Sequence, residues 1–165
     1  MSGEEKLNEF LQAVDDWINC KNILPPKGPS KKFKSEELRG NIEGILSLTT
    51  DTLRILTAEE CLMYAYELHT YGEYLESVKA KENIVLEWAD SSIWYIISKT
   101  INQYGDKYTK WQEKYYSAVR ENPLANDILK IKNHAEARVG ILKGKADRIQ
   151  KMAEILNNLS RRRNI

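Results

Sequence analysis

Between residues 94 and 116 the chain reads WYIISKTINQYGDKYTKWQEKYY, and side chains able to bind a ligand concentrate here. Lys99, Lys107, Lys110 and Lys114 are interleaved with Trp94, Tyr95, Tyr104, Tyr108, Trp111, Tyr115 and Tyr116. Ammonium groups bind phosphates by charge, and aromatic faces stack unpaired bases of any sequence. Together they are the makings of a single-strand surface. Lys107, Lys110 and Lys114 stand at i, i+3 and i+7, one stripe of a helix, with Trp111 at its edge. The same spacing also fits a helix that turns Trp111 and Tyr115 to a core and leaves the lysines solvated. Both readings stay open on pattern alone. Arg161, Arg162 and Arg163 suit the negative end of a helix, and equally a phosphate.

No catalytic constellation competes with this cluster. His69 and His134 stand alone, and Cys20 and Cys61 lack metal-ligand spacing. The phosphate-cradling glycine patterns and the nucleophile elbow are missing. Glu60, Glu67, Glu73, Glu76, Glu82 and Glu87 scatter around one helix rather than pairing. The expectation is a non-enzyme without metal or cofactor.

The 165 residues carry 25 Lys+Arg against 24 Asp+Glu, a net charge of +1 that by itself argues against a nucleic-acid partner. Its distribution argues otherwise: residues 1–98 sum to −7 and residues 99–165 to +8. Such asymmetry is a hint about partners, although a fold can interleave the two halves. No apolar run reaches the eighteen or so residues of a membrane span, and the start lacks the apolar region of a signal peptide. A cytoplasmic protein without membrane contact is expected.

The elements that must position the cluster are helical throughout. Leu7, Phe10, Leu11, Val14, Trp17 and Ile18 predict a first amphipathic helix. The stretch KNILPPKGPSKKFK then reads as an exposed basic linker, and Ser35 as the cap of a short helix striped by Leu38, Ile42, Ile45 and Leu46. Thr57-Ala-Glu-Glu60 is a capping box, opening a helix with no strong stop before Asn102–Gly105. A helix of about 45 residues spans about 70 Å and needs a long partner. Tyr108–Arg120 reads as a shorter helix, and Asn122-Pro123 as the start of another long one. In that last helix Leu124, Ile128, Ile131, Ala135, Leu142, Ile149, Met152, Leu156 and Leu159 follow a coiled-coil spacing, with Arg138 and Lys145 in the remaining seam positions. The predicted fold is all-α: a long antiparallel, coiled-coil-like hairpin over 57–165, with a two-helix N-terminal extension over 1–56.

Two stretches add a resemblance. YAYELHTYGEYLESVKAKENIVLEWADSSIWYIISKT resembles the first long helix of phage recombination mediators of the UvsY type. PLANDILKIKNHAEARVGILKGKADRIQKMAEILNNLSRRR is similar to their returning helix, basic end included. The likeness covers about residues 58–163 and rests on helical pattern and order. It implies a homo-oligomer of six or seven subunits in the host-cell cytoplasm that binds single-stranded DNA. Such a protein helps load a RecA-like recombinase onto strands covered by single-strand binding protein. The family's basic residues near the end of the first long helix are reduced here to Lys99, which moves the expected DNA surface to Lys107, Tyr108, Lys110, Trp111 and Lys114. Leu142, Ile149, Met152 and Leu156 are the expected oligomerisation contacts. The alternative is a structural coiled-coil virion or adaptor protein that binds only proteins.

Overall fold

A computed structural model describes residues 2–21, 23 and 38–164, with side chains from residue 42 onward in the last stretch. The fold is all-α. Its helices are α1 (Gly3–Cys20), α2 (Leu38–Leu46), α3 (Thr50–Ile55), α4 (Ala58–Ile97), α5 (Trp111–Glu121) and α6 (Pro123–Arg163), with a 3₁₀ turn at Ile101–Tyr104. Most of the expected basic linker, and the Ser35 cap, lie outside the described residues. The chain groups into two compact units. Unit 1 comprises Met1–Val14 and Lys79–Gly140, and unit 2 comprises Asp15–Val78 and Ile141–Ile165. This grouping does not follow the boundary expected at 56/57.

In unit 2, α4 starts where the capping box requires. Thr57 Oγ1 accepts from the Glu60 amide at 3.1 Å, and Glu60 Oε2 accepts from the Thr57 amide at 2.7 Å. Cys61, Ala65, Leu68 and Leu75 are buried on one face of α4, as are Leu142, Ala146, Ile149, Ala153, Leu156 and Ser160 on α6. The two segments run antiparallel. A Cβ on Gly72 would stand 3.7 Å from Ile149 Cγ2, the His69 ring meets Asn157, and Arg163 reaches Cys61. Ile18, Ile23, Ile42 and Ile45 are buried too, so residues before 57 supply core rather than an appendage. Tyr74 Oη fixes the end of α1 by donating to the Lys21 carbonyl at 2.8 Å.

The helix α3 was not expected from the sequence. Thr49 caps it, its hydroxyl accepting from the Thr52 amide at 3.2 Å. Its other end is held by Arg163. The guanidinium donates to the Leu53 carbonyl at 2.7 Å, the Arg54 carbonyl at 3.1 Å and the Leu56 carbonyl. A helix leaves its last carbonyls without partners, and a forked cation at that negative end satisfies several at once.

In unit 1, α4 and α6 are again antiparallel, and charges pair across them. Lys132 Nζ lies 2.6 Å from Asp90 Oδ1, and Arg138 Nη1 lies 3.5 Å from Glu82 Oε2. Burial is the largest single influence on Lys132 and lowers its pKa, but the hydrogen bond to Asp90 and the surrounding charges of Asp90, Glu136 and Tyr115 together outweigh it and raise the pKa above the ordinary lysine value. The core joins Ala89, Ile93, Ile97 and Ile101 to Tyr115, Ala118 and Val119 of α5, and to Ala125 and Ile128 of α6. The Asn122-Pro123 start of α6 is as expected, Asn122 Oδ1 accepting from the Ala125 amide at 3.0 Å. Val14 of α1 is buried, and Phe10 packs on the His134 ring with centroids 4.5 Å apart.

The seam of α6 corrects the expected one by a single residue. Ile128, Ala135, Leu142, Ile149 and Leu156 are buried as expected, but the alternate positions are Ala125, Ala146, Ala153 and Ser160. Leu124 and Ile131 are 60% and 43% exposed. The spacing of large aliphatics misleads here because alanine lets two helices approach more closely than leucine does, so the small side chains occupy the line of closest contact.

Candidate nucleic-acid interface

The aromatic and basic stretch lies wholly within unit 1, and a turn shapes it. After Ile97 the chain leaves the helix, Thr100 Oγ1 donating back to the Ile97 carbonyl at 3.3 Å. Beyond the 3₁₀ turn, Asp106 Oδ1 accepts from the Tyr108 amide at 2.8 Å and the Thr109 amide at 3.0 Å. Thr109 Oγ1 in return accepts from the Asp106 amide at 3.1 Å. The hydrogen bond from the Tyr108 amide is the main reason the Asp106 pKa lies below the ordinary carboxylate value. The turn has no room for a side chain at Gly105, where a Cβ would lie 2.4 Å from Thr109 Oγ1.

This geometry revises the lysine stripe. α5 begins at Trp111, so Lys107 sits in the turn, Lys110 at the N-cap, and only Lys114 on the helix. The Asp106 turn uses up the residues that the spacing assigned to a first helical turn. Lys107, Lys110 and Lys99 are exposed, while Lys114 is half-buried. Lys107 Nζ stands 5.0 Å from the centroid of the Tyr108 ring, and that ring is itself 81% exposed. Lys110 provides no side-chain cap. It places a cation at the positive end of a helix, where an acceptor such as Ser or Asp is favoured.

The same stretch contributes to an aromatic group. Trp94 of α4 and Trp111 of α5 stack at 4.8 Å with 29° between planes, and Tyr115 lies 5.6 Å from Trp111 and 5.3 Å from Trp94. Tyr115 is 7% exposed, and burial is the main reason its pKa lies above the ordinary tyrosine value. Trp111 is 53% exposed, and Tyr95 and Tyr116 are exposed as well. The two readings of Trp111 and Tyr115 divide between them: Tyr115 is core, and Trp111 is half core and half surface.

The charge asymmetry along the chain does not survive folding. The residues of unit 1 hold eleven Lys+Arg and eleven Asp+Glu, because the acids of α1 and α4 offset the basic surplus of residues 99–140. What persists is local: four lysines against Asp106 and Glu113 between residues 99 and 116.

The expected oligomerisation contacts are corrected as well. Leu142, Ile149 and Leu156 are buried within the chain's own fold, so they offer no face to a second copy. Met152 is half-buried and lines an apolar cleft of about 310 Å³ with Ile45, Leu48, Leu53, Ile155 and Leu156. Two large exposed residues outside the expected surfaces, Ile84 and Trp88, lie one turn apart on α4. Their i, i+4 spacing was a visible signal.

No cluster of three or more His, Cys, Asp or Glu suited to a metal occurs among the described residues, and none of their helices is long and apolar enough to cross a membrane. Comparison of the chain with protein-family models, with curated proteins and with solved structures returned no match.

Proposed function

We propose that this protein binds single-stranded DNA at the α5 corner of unit 1 and acts as a phage-type recombination mediator. In that role it has no enzymatic step. It helps a RecA-like recombinase to occupy strands covered by single-strand binding protein. The observation that carries the DNA reading is that exposed Lys99, Lys107 and Lys110, half-buried Lys114 and the exposed rings of Tyr108, Trp111 and Tyr116 all belong to one short stretch of unit 1, with Lys107 Nζ 5.0 Å from the Tyr108 ring. The resemblance of α4 and α6 to UvsY-type helices carries the rest. One such corner is a weak site; six or seven copies in a ring gain avidity without any stronger contact.

Anisotropy titration of a labelled oligo(dT) across a range of salt tests the reading. The parent protein weakens steeply with salt, and the combined Lys107→Ala, Lys110→Ala, Lys114→Ala variant lowers the log–log slope by about 2. A variant that binds as tightly as the parent at low salt refutes the assignment. Light scattering with and without oligonucleotide tests assembly, with a hexamer or heptamer that shifts on adding DNA as the expected result. A second reading, a coiled-coil adaptor that binds only proteins, is favoured by exposed Ile84 and Trp88 on α4. It requires assembly with no affinity for DNA.

A further inference from the structure

We infer that the solvent face of Trp111 is a base-stacking subsite, built in advance by Trp94 and Tyr115. The inference rests on the proposal that the α5 corner binds single strands, and says which part of the nucleotide is held where. The centroids of Trp94, Trp111 and Tyr115 form a nearly equilateral triangle with sides of 4.8, 5.3 and 5.6 Å. Seen from Trp111, its two aromatic neighbours therefore lie in directions only about 60° apart, on one side of the indole. With both neighbours in place the residue is still 53% exposed. Both neighbours are tied into the core of unit 1, Tyr115 as a buried member and Trp94 as a half-buried one packed against it. The indole thus has little freedom left to lose when a flat partner arrives, which is the condition for strong stacking.

The surroundings select the partner. Lys110 precedes Trp111 in the chain, and Lys114 follows at i+3 on the same side of α5. A base lying on the indole would carry its phosphate outward toward these ammonium groups. An unpaired base presents a free π face, whereas the bases of a duplex are already stacked on each other. The lysines hold the backbone, and Trp111 reads that a base is present and unpaired.

Two strands of equal length, an oligo(dT) and an oligonucleotide made of abasic sites, separate base from backbone. Trp111→Leu keeps an apolar cover over Trp94 but removes the π face, and Trp111→Phe keeps a smaller one. The expected result is that Trp111→Leu weakens oligo(dT) about tenfold, leaves the abasic strand within about twofold, and is largely rescued by Trp111→Phe. Quenching of tryptophan fluorescence by oligo(dT) is expected in the parent and reduced in the Leu variant. Equal weakening on both strands, or none on either, overturns the subsite while leaving the single-strand reading in place. A parent that binds neither strand at low salt overturns both. Circular dichroism melting shows whether each variant is folded before its affinity is read.

Discussion

Arg163 in unit 2 and Lys110 in unit 1 are both cations placed at the end of a helix, with opposite relations to it. Arg163 meets the C-terminal carbonyls of α3 and donates to three of them, at the pole where a positive charge is favoured. Lys110 stands at the N-terminal pole of α5, where a positive charge is disfavoured and its side chain caps nothing. The first is fully explained by the fold. The second breaks a local rule, Glu113 in the first turn of α5 being the acid that suits that pole, and such departures cluster where a protein meets its ligand. The difference separates a cation that holds the molecule together from one left available.

Variants can break that separation or sharpen it. Arg163→Ala has the largest expected effect, a loss of about 2 kcal/mol, because it leaves several half-buried carbonyls without a donor. Urea unfolding measures it, and DNA affinity of the folded variant stays at the parent value; an unchanged unfolding midpoint would remove the structural role assigned to Arg163. Gly105→Ala forces a Cβ against Thr109 Oγ1 and is expected to cost roughly 1.5 kcal/mol while also weakening DNA, since Lys107 and Tyr108 ride on that turn. Lys110→Ser supplies the missing cap. It raises stability by about 1 kcal/mol and lowers DNA affinity, and a variant that gains both contradicts the comparison. Gly72→Ala adds a methyl at ordinary contact distance from Ile149, and is expected to stabilise by somewhat under 1 kcal/mol with DNA binding untouched.

The smallest effect concerns pH. Burial, then the nearby Arg138, lowers the His134 pKa below its ordinary value, so the folded chain prefers the neutral ring. The unfolded chain takes up the proton first as pH falls. Stability is therefore full above about 6.5 and declines below it. Hydrogen exchange of α1, whose Phe10 rests on that ring, reads the change; protection of α1 that does not fall between pH 7.5 and 5.5 contradicts it.

How much of this was legible in the sequence follows the range of the forces. The Thr57–Glu60 box and the Asn122-Pro123 start are decided within four residues, and both stand where the sequence places them. The first turn of α5 departs from the helical spacing because Asp106 offers its carboxylate to the amides of Tyr108 and Thr109, a local competitor that spacing does not reveal. α3 has only six residues and leans on Arg163 from the far end of the chain, which no window of sequence contains. The seam was half legible: leucines and isoleucines announce themselves, whereas Ala125, Ala146 and Ala153 matter only once two helices are pressed together. The lysines and rings of the candidate site were visible as a list. Which ring is half open, and which cation lacks a structural task, required the fold.

The alanine-lined seam has one more consequence, for how the chain finds its register. Where Ala146, Ala153 and Ser160 recur every heptad, the seam looks nearly the same after a slip of seven, so that part of the pattern cannot tell the true pairing of α4 and α6 from its neighbours. The two ion pairs of unit 1 can. Sliding α6 one heptad one way sets Glu82 against Lys145 but leaves Asp90 facing Val139; sliding it the other way leaves both acids facing Ile131 and Ala125. The Glu82–Arg138 pair by itself would accept one wrong alignment, and the Asp90–Lys132 pair accepts none. Glu82 and Asp90 act as an address written in charge on a surface that is otherwise degenerate.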